Sequence, residues 1–165
     1  MKETKRIAIV PGSFDPITLG HVDIVQRAAE RYDKVYLAVM INPEKNYMFS
    51  LEQRTKIAAA AVADLPNVSI ISSEGMLWEL AKKLGASAIV KGIRNEIDLV
   101  YEKGMAEYNS AHYSAAETIF LMAKEEYLHI SSTAVRSKIL SRSDLSEYLP
   151  PSVISEIQKI LPSSF

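Results

Sequence analysis

Hydrophobic positions along the chain follow two alternating rhythms. Short, β-branched runs, "RIAIV" (6–10), "KVYLAVMI" (34–41), "NVSII" (67–71), "SAIVK" (87–91) and "TIFLM" (118–122), predict five strands. Each run is almost continuously apolar, which implies burial on both faces, as in a parallel sheet. Between the runs, apolar residues recur every three or four positions. Val22, Val25, Ala28, Ala29 and Tyr32 form one helical stripe, and Ile57, Ala58, Ala61, Val62 and Leu65 another. Ser50 and Gln53 have the spacing of a capping box ahead of the second helix. A shorter helix is expected from Met76 to Leu84, stopped by Gly85. Strands alternating with helices predict an open parallel sheet covered on both faces. Right-handed crossovers narrow this to a doubly wound, Rossmann-like α/β fold with a five-stranded parallel sheet. No repeat or long linker divides the chain, so a single domain over 1–165 is expected. Its closing helical segment, about 142–165, begins in the polar "SRSDLSEYLPP" (141–151) and continues into an amphipathic stretch, Val153 to Leu161, read as a packed helix.

Composition narrows the chemistry. The 165 residues are 48% hydrophobic, enough for a substantial core without metals or disulfides. Lys and Arg number 19 against 20 Asp and Glu, so no global field draws the chain to nucleic acid or an anionic membrane, and any anion site must be local. Cysteine is absent, which excludes disulfides, thiolate catalysis and Cys-built zinc sites. No stretch approaches the roughly 18 apolar residues of a membrane span. The four apolar residues after the basic N-terminus are too few for a signal-peptide core. A soluble, cytoplasmic protein is the expectation.

Candidate chemistry gathers at the C-terminal ends of the predicted strands, where open α/β sheets bind ligands. After the first strand, "VPGSFDPITLGHVDIV" (10–25) breaks into a turn with Gly12, Ser13 and Asp15, then brings Thr18, Gly20 and His21 to a helix start. Thr18 is placed to cap that helix, and free helical N–H groups favour an anion there. A turn shaped only by Gly, Asp and Pro, with His21 on the surface, explains this stretch alone equally well. Neither G-x-G-x-x-G nor G-x-x-x-x-G-K-[ST] is present, which argues against dinucleotide and P-loop chemistry. The loop after the second strand carries Lys45, and the end of the fourth carries Lys91, Gly92 and Arg94. In the next helix Asp98, Glu102, Met105 and Asn109 share one face, joined by Tyr101, and Gly104 suggests close packing or a ligand's approach. After the fifth strand, "HISSTAVRSKI" offers Ser131, Ser132 and Thr133 at a helix start, an anion cradle in which one hydroxyl can serve as the N-cap. His112 and His129 lack partners at metal-ligand spacing and are read as structural or exposed.

Three segments, "PGSFDPITLGH" (11–21), "KGIRNEIDLVYEKGMAEYN" (91–109) and "ISSTAVR" (130–136), together resemble the bacterial phosphopantetheine adenylyltransferases, of the nucleotidylyltransferase superfamily with its H/T-x-G-H signature. The resemblance runs in order over nearly the whole chain, and the 91–109 segment is its most specific part. It implies reversible transfer of an adenylyl group from ATP to 4′-phosphopantetheine, giving dephospho-coenzyme A and pyrophosphate. The transfer would be by direct in-line attack. His21, with Ser13 and Lys45, would handle the α-phosphate and the incoming phosphate, and Arg94 would reach ATP. Gly12, Phe14, Gly92, Asp98, Glu102, Ile130, Ser131, Ser132 and Thr133 would complete the ATP site. On the acceptor side the resemblance places Leu77, Lys91, Tyr101, Glu102, Met105, Tyr108 and Asn109. It further implies Mg²⁺ held mainly by substrate phosphates, a homohexamer, and inhibition by coenzyme A. Lys91 stands where arginine is frequent in the family, Tyr108 where a smaller apolar residue is common, and Ser13 in place of threonine. Transfer to another acceptor, or a nucleotide sensor on the same fold, are the alternatives.

Overall fold

The computed structural model describes residues 4–164, so the extreme ends of the span expected over 1–165 lie outside the described residues. Five strands, β1 (Ile7–Gly12), β2 (Lys34–Met40), β3 (Val68–Ser73), β4 (Ala88–Ile93) and β5 (Glu117–Met122), pair in parallel in the order β3-β2-β1-β4-β5. Helices α1 (Leu19–Ala29), α2 (Leu51–Ala61), α3 (Leu77–Leu84) and α4 (Glu96–His112) connect successive strands, while α5 (Ser132–Leu140) and α6 (Pro151–Ile160) follow β5. This is the doubly wound α/β arrangement that the alternation predicts.

Successive strand residues point to opposite faces, and the core divides accordingly. On one face Val10, Leu37, Val39 and Val90 meet Val25 of α1, Ile57 of α2, Val135 of α5 and Ile157 of α6. On the other, Ile9, Ala38 and Ile89 meet Ala81 of α3. Val153 and Ile157 of α6 are fully buried, so the amphipathic tail is a packed helix. Helix α4 is different: Ile97, Val100 and Tyr101 are 81%, 75% and 61% exposed, and Asn109 is its buried residue.

Local signals end the elements as their chemistry requires. Ser50 Oγ accepts from the Gln53 backbone N–H (3.1 Å) and Gln53 Oε1 from that of Ser50 (2.9 Å), closing the expected capping box. Gly85 takes the left-handed conformation (φ 63°) that stops α3. Strand β1 runs beyond its predicted end at Val10 to include Pro11 and Gly12. The reason lies in its neighbours. Pairing with β2 spans Ile7 to Gly12, whereas pairing with β4 covers only Ala8 and Ile9. Past Ile9 the strand is in effect an edge, where a proline without an N–H is tolerated. The same divergence opens a crevice where the strand order reverses.

Candidate active site

The crevice between the C-terminal ends of β1 and β4 is a cavity of about 490 Å³, within the range of small-molecule sites. Four connections line it. Gly12, Ser13, Phe14, Thr18, Gly20 and His21 come from the β1–α1 turn, and Lys45, Asn46 and Tyr47 from the β2–α2 loop. Lys91, Gly92, Arg94, Asp98 and Glu102 come from β4 and α4, and Tyr127, Ile130, Ser131, Ser132, Thr133 and Arg136 from the segment after β5. Beside it lies a smaller cavity of about 90 Å³, bordered by Leu77, Tyr101, Met105 and Asn109. Lys91 and Glu102 belong to both, and their ion pair (3.2 Å) stands at the junction.

His21 is held by the start of its own helix. The Thr18 backbone N–H donates to His21 Nδ1 (3.0 Å), while Thr18 Oγ1 accepts from the His21 backbone N–H (3.4 Å). Thr18 is thus the N-cap, as its position predicts, and the histidine closes the capping box from the third helical position. With Nδ1 accepting, the neutral ring carries its proton on Nε2. Phe14 packs edge-on against the imidazole, ring centroids 5.1 Å apart. Burial, then the charges of Arg94 and Lys91, lower its pKa from an ordinary 6.5 to about 4. At neutral pH His21 is therefore an uncharged donor among cations.

Those cations are already paired. Arg94 grips Asp98 with Nε (3.0 Å) and Nη2 (3.3 Å), and its backbone N–H reaches the same carboxylate (3.2 Å). Burial opposes ionisation of Asp98, but the hydrogen bonds and charge of Arg94 outweigh it and hold the carboxyl below its usual range. Arg136 Nη1 lies 3.8 Å from the carboxylate of Asp15 and donates to its carbonyl (2.9 Å). Lys45 is exposed at the rim, and among the described residues no carboxylate lies within ion-pair distance of it. It can meet an incoming anion without displacing a partner.

The hydroxyl cradle divides its labour. Ser131 is the N-cap of α5, accepting from the Ala134 N–H (3.1 Å), and Ser132 Oγ donates to the carbonyl of Pro16 (2.8 Å). Thr133 Oγ1 accepts from Arg136 Nη2 (3.2 Å). Among the described residues the backbone N–H groups of Ser132 and Thr133 have no acceptor, so the N-terminus of α5 offers free donors at the cavity.

The thirteen residues expected in the ATP site or near the transferring phosphate all line the large cavity, and of those expected on the acceptor side Leu77, Tyr101, Met105 and Asn109 line the small one. Tyr108 lines neither. It shares the helical face of Tyr101 but stands two turns farther along α4, where its ring lies on His112, centroids 4.3 Å apart. Gly104 also departs from expectation: a Cβ there would meet nothing within 4 Å, so neither packing within this chain nor a cavity demands glycine. Gly92 is required by packing, since a Cβ would lie 2.9 Å from Ile24 Cγ1.

Sequence reasoning missed Tyr47, Arg54 and the partners of Asp15. The buried Asp15 accepts from the backbone N–H groups of Met48 (2.9 Å) and Phe49 (3.0 Å). Arg54, 1% exposed, donates to the carbonyls of Ser13 (2.6 Å), Met40 (2.9 Å) and Phe49 (3.3 Å). One signal was legible: Arg54 shares the buried stripe of Ile57, Ala58 and Ala61, a charge on an apolar face.

The chain is similar in sequence and in fold to known proteins. Residues 9–138 match the cytidylyltransferase-like family. A phosphopantetheine adenylyltransferase of Streptococcus gordonii is 42% identical over 155 residues, covering 93% of this chain and 94% of the relative. One from Flavobacterium psychrophilum is 45% identical over 148 residues, 90% of this chain and 97% of the relative. In fold, the chain superposes with a TM-score of 0.74 on the crystal structure of a protein from Vibrio parahaemolyticus provisionally assigned as a nicotinate-nucleotide adenylyltransferase. That pair is 23% identical, with 94% of this chain and 93% of the other covered. Identity of 42% and 45% to these relatives, over nine-tenths or more of the chain in each case, places this chain in the phosphopantetheine adenylyltransferase family.

Proposed function

We propose that the protein transfers the adenylyl group of ATP to the phosphate of 4′-phosphopantetheine, releasing pyrophosphate and forming dephospho-coenzyme A, the penultimate step of coenzyme A synthesis. The observation that carries this reading is a pair of unequal cavities meeting at Lys91 and Glu102. The larger, with cations and free helical N–H groups, suits a nucleoside triphosphate. The smaller, bordered by Leu77, Tyr101, Met105 and Asn109, suits a narrow, amide-bearing arm.

The acceptor is a phosphate monoester whose second pKa is about 6, so at neutral pH it is largely a dianion and needs no strong base. Its oxygen attacks the α-phosphorus in line with the departing pyrophosphate; one P–O bond forms as the other breaks, and no covalent enzyme intermediate is required. Catalysis is then positioning and charge stabilisation. Ser13 and Lys45 hold the incoming phosphate, and neutral His21 donates from Nε2 to the α-phosphate oxygens. Arg94 and the N-terminus of α5, with Ser131, Ser132 and Thr133, hold the β- and γ-phosphates. Lys91 exchanges Glu102 for phosphate. Mg²⁺ bound to the phosphates of ATP would supply charge shielding for the triphosphate and the pyrophosphate that leaves. The pairing of Asp98 with Arg94 and of Glu102 with Lys91 fits a metal carried by substrate phosphates and water.

Two regulatory expectations accompany the reaction. The exposed apolar strip of α4 supports a homohexameric assembly. Coenzyme A shares the pantetheine arm and adenylate of the product, so it competes for the same cavities as a feedback inhibitor. The reaction is assigned to the cytoplasm, where ATP is available.

Pyrophosphate release with ATP, Mg²⁺ and 4′-phosphopantetheine tests the reading. Nicotinamide mononucleotide and a CTP/glycerol-phosphate pair serve as controls. Release with phosphopantetheine alone is expected. Release only with a control would overturn the acceptor assignment, and silence throughout would point to a sensor.

A further inference from the structure

Ser13 reaches the cavity with its hydroxyl next to a second hydroxyl, that of Tyr47, 3.4 Å away. The phenol oxygen is itself occupied. The Asn42 backbone N–H donates to it (2.6 Å), so its own proton must point elsewhere, to the Asn42 carbonyl or to Ser13 Oγ, each at 3.4 Å. Beneath the ring, the buried Arg54 guanidinium stacks 3.9 Å from the centroid while donating to the Ser13 carbonyl (2.6 Å). A cation over the π face withdraws electron density from the ring, which strengthens the phenol as a donor. One guanidinium therefore fixes both the backbone of Ser13 and the ring beside its side chain.

We propose that Tyr47 is a positioning residue for adenylyl transfer: its hydroxyl, braced by Asn42 and Arg54, donates to Ser13 Oγ and so turns the Ser13 proton toward the transferring phosphate. The inference rests on the reading of Ser13 as a phosphate ligand. When a phosphate oxygen takes the Ser13 proton, the serine oxygen presents lone pairs to Tyr47. The bonds then run in one direction, Asn42 N–H to Tyr47, Tyr47 O–H to Ser13, and Ser13 O–H to phosphate. Bonds aligned head to tail polarise one another, and the last acts on developing negative charge. The same phenol closes the loop that carries Lys45, through its bond to Asn42. Loosening that loop would have a different signature, a higher KM for the acceptor with kcat retained.

Tyr47→Phe keeps the ring on Arg54 and removes only the hydroxyl. The test compares it in the wild-type and Ser13→Ala backgrounds, with kcat and both KM values measured by pyrophosphate release. Tyr47→Phe is expected to lower kcat about tenfold in the wild type, with the KM for ATP within about twofold, and to lower it less than about twofold once Ser13 is alanine. An equal loss in both backgrounds, or a change confined to the acceptor KM, overturns the proposal. If the wild type releases no pyrophosphate, the reading of the reaction falls, and this inference with it. If the wild type is active and Tyr47→Phe matches it, the inference falls alone.

Discussion

Acidification probes His21 most directly, because the structure sets both sign and size of the effect. The partly buried imidazole packs edge-on against Phe14, its Nδ1 accepts from Thr18, and Arg94 and Lys91 oppose a further positive charge. Its pKa falls from 6.5 to about 4 in the folded protein. Between those values the unfolded chain binds the proton that the folded chain refuses, so stability decreases as pH falls through 6.5 and the loss levels off below about 4. At about 1.4 kcal/mol per unit, the full loss is about 3 kcal/mol. The assay is urea denaturation from pH 7 to pH 4 of the wild type and of His21→Ala, which cannot titrate there. The wild type should lose about 3 kcal/mol more than the variant over that range, while the imidazole resonances followed by NMR titrate near 4. Parallel loss in the two proteins, or titration near 6.5, would refute the reasoning. With ATP bound the titration should move upward, because phosphate favours the imidazolium.

Two further substitutions test packing and assembly. Gly92→Ala sets a methyl group 2.9 Å from Ile24 Cγ1 and should cost about 1–3 kcal/mol in denaturant unfolding. In an Ile24→Ala background the same change should cost under about 0.5 kcal/mol, and an equal cost in both would place the strain elsewhere. Val100→Lys charges the most central exposed part of the α4 strip. It should leave the circular dichroism spectrum unchanged and lower the assembly mass measured by light scattering, whereas an unchanged mass would remove that strip from the subunit contact.

Effects that act within a few residues were decided by the sequence itself. Strands follow from short, almost continuously apolar runs, and helices from apolar residues recurring every three or four positions. The Ser50–Gln53 box, the Gly85 stop and the Thr18 cap each join residues no more than three apart or depend on one residue's allowed backbone. The face shared by Asp98, Glu102, Met105 and Asn109 was legible for the same reason, helical spacing alone, and these residues border the cavities. Tyr108 shows the limit of that reasoning, because spacing puts it on the face of Tyr101 without saying how far along α4 the cavity extends. Tertiary structure alone decided the strand order and the early parting of β1 from β4, which open the site. It also decided the links that span distant parts of the chain, 41 positions from Arg54 to the Ser13 carbonyl and 121 from Arg136 to that of Asp15. The low pKa of His21 belongs with them, since it comes from burial in the assembled crevice and then from Arg94 and Lys91, brought in by β4 and the turn after it. Burial and charge depend on which segments meet in space, and that is settled only when the whole sheet is assembled.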